Sequence, residues 1–288
     1  MKKLTSLLLT GALALGLLAG CSTSTGGDTG TPQSSSPAQP SASGSLEGTT
    51  ITVAASPTPH AEILAVARDV LAQQGITLEI MEFTDYIQPN LATEEGEVDA
   101  NYFQHITYLN DFNEGNGTHL VSVAEIHYEP FGIYAGTTSS LADLPDGAKI
   151  GVPNDPSNEG RALLLLQQEG LITLKEGVGL TATKLDIAEN PKNLQIEELE
   201  AAQLPRSLDS LDLAVINGNY ALQAGLNAAD ALAIESTDGE ATQAYVNVLA
   251  VKEGRENDPA IQALAAALCS YEVKAYIEIG RASCRERV

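Results

Sequence analysis

Asn158 and Arg161 carry the clearest binding chemistry in the chain, an amide and a guanidinium at i, i+3 that share a face if their segment is helical. They stand in Asn154-Asp155-Pro156-Ser157-Asn158-Glu159-Gly160-Arg161, between the strand-like run Lys149 to Pro153 and the apolar run Ala162 to Leu166. Asp155-Pro156 ends the strand, Ser157 or Asn158 is expected to cap a helix, and the apolar run supplies its buried side. Free backbone N–H groups at such an N-terminus attract an anion, and an arginine one turn in adds a planar fork that matches a carboxylate. The competing reading pairs Arg161 with an acidic neighbour, Glu159 or Asp155.

Two other groups have usable chemistry. Asn217 and Asn219, in Asn217-Gly218-Asn219-Tyr220, follow the buried strand-like run Leu211 to Ile216. Two amides at a strand end can meet the amino and carboxylate groups of a small zwitterion. The alternative is plain turn chemistry, since Asn-Gly favours positive φ. Phe103 ends a strand read over Val98 to Phe103, and a helix read from Gln104 puts His105 and Tyr108 on one face. The alternative there is that Phe103 and Tyr108 are ordinary core residues.

The elements that must position these groups alternate strand, turn and helix. Thr49 to Ala55 reads as a strand, Ser56 to His60 as a turn, and the next segment as a helix with Ile63, Val66, Ala67, Val70 and Leu71 on one face. Thr77 to Phe83 is another strand, with Tyr86 in the turn beyond it. This order indicates an α/β domain with a largely parallel sheet, in which ligands gather at the carboxyl ends of strands. Leu120 to His127 and Phe131 to Ala135 are extended, and a second α/β unit starts at Lys149. Tyr245 to Val251 is a strand that returns the chain to the first domain, and Ile261 to Ile277 reads as one closing helix with Cys269 buried in it.

Composition narrows the function classes. A formal charge of −23 over 288 residues argues against a nucleic-acid partner, which demands a basic footprint. Hydrophobic residues at 43% support a globular body, and the length allows two domains. Residues 1–20 have a signal-peptide pattern: Lys2 and Lys3, then an apolar run too short for a stable span, then Leu18-Ala19-Gly20-Cys21, which looks like a lipobox that would lipidate Cys21. Residues 21–48, rich in Ser, Thr, Gly and Pro, read as a disordered tether. Residues 280–288 place Arg281, Arg285 and Arg287 in an otherwise acidic chain and read as a cloning or assembly scar, with a natural basic tail as the alternative. His60, His119 and His127 show no metal-ligand spacing and read as surface or structural residues, and neither metal nor cofactor is expected.

Taken together, Asp99 to His105 with Tyr108, Glu129 to Tyr134, Asn154 to Arg161 and Ala214 to Tyr220 resemble the methionine-binding lipoproteins of bacterial ABC importers, the NlpA family. The resemblance runs from about Thr49 to about Glu278. It implies an α/β, two-domain periplasmic-binding-protein (type II) fold with the ligand in the interdomain cleft. The expected domains are 49–135 plus 244–279, and 136–243. It further implies methionine as ligand, with Arg161 on the carboxylate, Asn158 and Asn219 on the polar groups, and Tyr86, Phe103 and Tyr108 as a cage for the thioether beside His105. Asn217 and Asn247 are further contacts by the same resemblance. The implied partners are an ABC permease and its ATPase, with the protein held on the extracytoplasmic side of the cell membrane through Cys21. Other ligands (another amino acid, a methionine derivative or a dipeptide) stay open, as does an enzyme on the same fold with His105 as acid or base. A surface lipoprotein used for adhesion is the third class. No GxSxG, paired-carboxylate or metal motif supports the enzyme.

Overall fold

The computed structural model describes residues 46–236 and 243–279. The expected signal peptide, Cys21, nearly all of the tether and the arginine-rich tail lie outside the described residues.

Two five-stranded sheets organise the body. In the first, β1 (Thr50–Ala55) runs parallel to β2 (Thr77–Glu82) on one side and to β3 (Ala100–His105) on the other. Beyond β3 lie β12 (Val246–Lys252), antiparallel to it, and then β4 (Leu120–Tyr128). The order is β2-β1-β3-β12-β4. Both faces are covered, so β3 is buried along its whole length and β12 nearly so. Helix α1 (Glu62–Ala72) turns Ile63, Leu64, Ala67 and Leu71 into this core, with Val66 and Val70 half-buried at its border. Helix α2 (Gln88–Glu95) packs near β3, and α3 (Ile106–Asn116) follows β3 directly.

The second sheet contains β5 (Gly132–Ala135), β6 (Lys149–Pro153), β9 (Gln195–Leu199), β10 (Leu213–Ile216) and β11 (Ala233–Ile234), in the order β11-β5-β10-β6-β9. Read from β9 inwards, it repeats the plan of the first sheet: three parallel strands with the first in the middle, then two antiparallel additions. Helix α4 (Pro156–Gln168) buries Ala162, Leu163, Leu165 and Leu166 in a separate core with Ile150, Val152, Leu213 and Val215. A small hairpin, β7 (Thr173–Leu174) with β8 (Ile187–Glu189), lies outside both sheets. The short α5 (Gly218–Gln223) follows β10. Two helices, α6 (Pro259–Leu268) and α7 (Tyr271–Ile279), complete the first core.

Several local expectations change. The body begins at Leu46, whose side chain packs on the first core while Gly48 donates to the Gly75 carbonyl at 2.8 Å. Strand β5 pairs with β10 and β11, so it belongs to the second sheet, and the chain leaves the first sheet at Tyr128. The closing helix is broken at Cys269 and Ser270, and Cys269 is exposed because it sits at the C-cap of α6. None of the described helices is long and apolar enough to cross a membrane.

Candidate ligand-binding cleft

The carboxyl end of β3 and the segments that follow β6 and β10 meet at a cleft lined by Tyr86, Phe103, His105, Tyr108, Asn158, Arg161, Asn217, Asn219 and Asn247. All nine candidate ligand residues therefore converge on one cavity. Gln104, Glu129 and Gly218 line it too.

Local sequence decides how each wall is presented. Strand β3 continues through His105, which then acts as N-cap of α3; its Nδ1 accepts from the Tyr108 N–H at 3.0 Å. The helix expected from Gln104 starts later because that imidazole satisfies an orphan N–H at the strand-to-helix turn. With Nδ1 accepting, Nε2 carries the proton and donates to Asn158 Oδ1 at 3.2 Å across the cleft. Burial, with the Arg161 charge adding to it, pushes the His105 imidazole down to about 3, so it stays neutral at physiological pH.

Helix α4 is capped by Asp155, two positions before the expected Ser157 and three before Asn158, with Pro156 pre-set at the first helical position. Asp155 Oδ1 accepts from the Asn158 N–H at 3.0 Å, the Asn158 side-chain amide at 2.9 Å and the Ser157 hydroxyl at 3.0 Å. That carboxylate occupies the helix N-terminus, which therefore offers no site to a ligand anion. Gly160 is needed for packing: a Cβ there would lie 2.3 Å from the Leu180 carbonyl oxygen. Asn217 has φ of −61° and leads into α5, so Asn217-Gly218 opens a helix and is not a positive-φ turn.

Arg161 pairs with neither Glu159 nor Asp155. Its Nε donates to Glu235 Oε2 at 2.9 Å, and its Nη2 donates to Glu235 Oε1 and to the Glu129 carbonyl, the latter at 2.8 Å. Tyr245, Phe131 and Tyr128 surround the guanidinium with ring centroids 4.2, 4.9 and 5.7 Å from Cζ. Burial opposes its charge, but the Glu235 carboxylate outweighs that and holds the guanidinium firmly protonated. One edge of the fork is thus committed to Glu235. Nη1, on the other edge, makes no hydrogen bond among the described residues.

The aromatic wall forms as a unit. Tyr86 lies 5.7 Å from Phe103 and 5.5 Å from Tyr108, with Phe103 and Tyr108 6.3 Å apart, ring centroid to ring centroid. Tyr220, from the second lobe, stacks 4.8 Å from Tyr86, a contact absent from the sequence-based cage. The Tyr86 hydroxyl donates to Asn219 Oδ1 at 2.5 Å, and the Tyr220 hydroxyl to the Thr84 carbonyl at 3.3 Å. Together with the His105 to Asn158 bond, these tie one wall to the other.

Some candidate groups are spent inside the protein. Asn158 Oδ1 accepts from both His105 and the Asn217 side-chain amide, the latter at 2.8 Å. Asn247 Oδ1 accepts from His60 Nε2 at 3.0 Å. By contrast, Asn217 Oδ1 and Asn219 Nδ2 are buried without a hydrogen-bond partner among the described residues. Among the described residues, Arg161 Nη1 and Asn219 Nδ2 are thus open donors of the cleft, and Asn217 Oδ1 is an open acceptor.

Sequence spacing missed the floor of the cleft. His60 and His127 are buried, at 1% and 2% exposure, and both meet Glu129 Oε1, at 3.2 and 2.9 Å. The ligating atoms of these three residues lie within 4.8 Å of one another, a grouping that spacing along the chain does not display. The surface reading is right for His119 only, whose side chain is 67% exposed. The available signal for Glu129 was an acid beside a proline at the lobe crossing, with no lysine or arginine nearby in sequence.

Comparisons with known proteins match this architecture. A family model described as NlpA lipoprotein matches residues 51–282. The methionine-binding lipoprotein MetQ of Bacillus subtilis (strain 168) is 40% identical over 279 residues, covering 94% of each chain. A crystal structure from Ruminococcus gnavus ATCC 29149 is 59% identical with a TM-score of 0.78, covering 80% of this chain and 95% of that one. The structure of a nutrient binding protein from Burkholderia cenocepacia bound to methionine is 46% identical with a TM-score of 0.75, over 80% of this chain and 95% of that one.

Proposed function

The chain belongs to the NlpA lipoprotein family, and from that premise we propose that it is the substrate-binding lipoprotein of an ABC importer, capturing methionine in the interlobe cleft. Its lobes are the first sheet with its helices, to Tyr128 and again from Val246, and the second sheet between them. Lipidated Cys21 tethers it to the extracytoplasmic face of the membrane, where it delivers ligand to the permease and its ATPase.

The observation that carries this reading is the set of open polar atoms beside an aromatic wall. Arg161 Nη1 and Asn219 Nδ2 suit a carboxylate, and Asn217 Oδ1 suits an ammonium. An unbranched thioether threads between Tyr86, Phe103 and Tyr108, where sulfur–aromatic contacts add about 0.3–1.5 kcal/mol each. The protein acts as a receptor and not as an enzyme: both ring nitrogens of His105, the candidate acid or base, are engaged in holding the fold together.

Mass spectrometry of the small molecules released on denaturing the purified protein tests the reading. Methionine is expected, and its binding should be confirmed by calorimetry after stripping. A different released ligand, with no measurable methionine affinity, would overturn it.

A further inference from the structure

The polar atoms assigned above leave the ligand's ammonium with only an amide oxygen, and the cleft contains a stronger acceptor. Glu129 lines the cavity and is 6% exposed. Its Oε1 accepts from His127 Nε2 at 2.9 Å and lies 3.2 Å from His60 Nε2. Its Oε2 has no hydrogen-bond donor among the described residues. Gly218, also in the lining, leaves room in front of that oxygen: a Cβ on Gly218 would sit 3.1 Å from it.

Charge balance points the same way. The cation of the cleft, Arg161, is already matched by Glu235, while Glu129 has no lysine or arginine side chain within ion-pair distance among the described residues. A buried carboxylate without a cation is costly, and an ammonium delivered by a ligand relieves that cost. The groups around Glu129 are arranged to keep it ionised and aimed. His60 comes from the turn after β1 and is itself fixed by Asn247 of β12; His127 comes from β4 and is fixed by the Tyr102 hydroxyl, 2.6 Å from Nδ1; Arg161 of α4 holds the Glu129 carbonyl. Burial alone would raise the Glu129 carboxyl, but the two imidazoles and Arg161 keep it below the ordinary carboxylate range.

We propose that Glu129 Oε2 receives the ligand's α-ammonium and that His60 and His127, which need not touch the ligand, are positioning residues for that carboxylate. The cleft then takes free α-amino acids and rejects their N-acylated and deaminated analogues. This rests on the amino-acid reading above.

The test is a calorimetric titration of the whole chain with methionine, N-acetylmethionine and the α-hydroxy analogue of methionine. In the unaltered protein both analogues should bind on the order of a hundredfold more weakly than methionine. Glu129→Gln should lower methionine affinity by a similar factor and barely change the analogues, collapsing the ratio. His127→Phe should shrink the same ratio, and His127→Gln, whose amide can still donate to Oε1, should restore part of it. A purely structural histidine would lower all three affinities together. If the variants fail to fold, the unaltered protein still decides: equal affinity for methionine and its α-hydroxy analogue overturns the proposal. So does a ratio untouched by Glu129→Gln. Failure of the amino-acid reading looks different, because then methionine itself does not bind.

Discussion

Arg161→Ala should damage affinity and stability by separable routes. In the cleft, loss of Nη1 removes a charge-assisted hydrogen bond, about 1.5–3 kcal/mol, and leaves the ligand carboxylate short of a partner at a cost of about 2–5 kcal/mol. Methionine affinity should fall by at least about tenfold and by as much as several thousandfold. In the fold, the same substitution strands Glu235, which is 9% exposed and keeps, among the described residues, the Tyr128 hydroxyl and the Phe131 N–H as donors. Breaking a buried ion pair costs about 3–5 kcal/mol. For a body of this size, where each kcal/mol moves the unfolding midpoint by about 2–4 °C, that is a drop of roughly 6–20 °C. Adding Glu235→Gln removes the stranded charge, so the double variant should recover much of the midpoint in calorimetric melting and little of the affinity in titration calorimetry. Affinity that returns together with the midpoint would refute the reasoning, because Arg161 would then act only as a strut between Glu235 and the Glu129 carbonyl.

Other outcomes follow from neighbouring contacts. Tyr86→Phe keeps the cage ring but removes the hydroxyl that bonds Asn219 across the cleft at 2.5 Å; methionine should bind roughly tenfold more weakly with little change in the methionine-to-leucine ratio, and a collapsed ratio would show that the hydroxyl reads the side chain. Tyr108→Ala should do the reverse and shrink that ratio, measured by competition, because it opens the wall where a branched chain would otherwise collide. Stripping ligand should enlarge the radius measured by small-angle scattering, since bonds such as His105 to Asn158 join walls that need a ligand between them to stay closed; identical curves with and without methionine would contradict this. Acid should destabilise the protein. His105 and His60 are pushed down to about 3 and about 4 by burial, so below about pH 6.5 the unfolded chain binds protons that the folded one refuses. Melting temperature should therefore fall as pH drops from about 6.5 toward 4, and His105→Gln should flatten the slope; a profile level across that window would show that the imidazoles protonate in place.

Much of the fold was legible in the chain itself, and the nine residues expected around a ligand line one cleft. Period and punctuation were enough to place β1, α1, β2 and β6 within a residue or so, because an apolar face and a breaker such as Asp155-Pro156 act locally. The motif residues Phe103, Arg161 and Asn219 reached the cleft because each lies near or just past the carboxyl end of a strand, and parallel sheets bring such ends together. What each residue does there was decided only by tertiary structure. Arg161 finds its carboxylate partner in Glu235 from β11's end, Asn158 spends its oxygen on His105 and Asn217, and Asp155 fills the helix terminus that local reasoning offered to a ligand. His60, His127 and Glu129 looked unrelated along the sequence, yet they form one hydrogen-bonded cluster beneath the cleft. Local physics selects a strand, a cap or a turn from a few neighbouring residues, but a contact between Glu129, just past β4, and His60, in the turn after β1, exists only once the first sheet has assembled. The division of polar atoms into those spent on the fold and those left for a ligand is therefore a property of the assembled cleft.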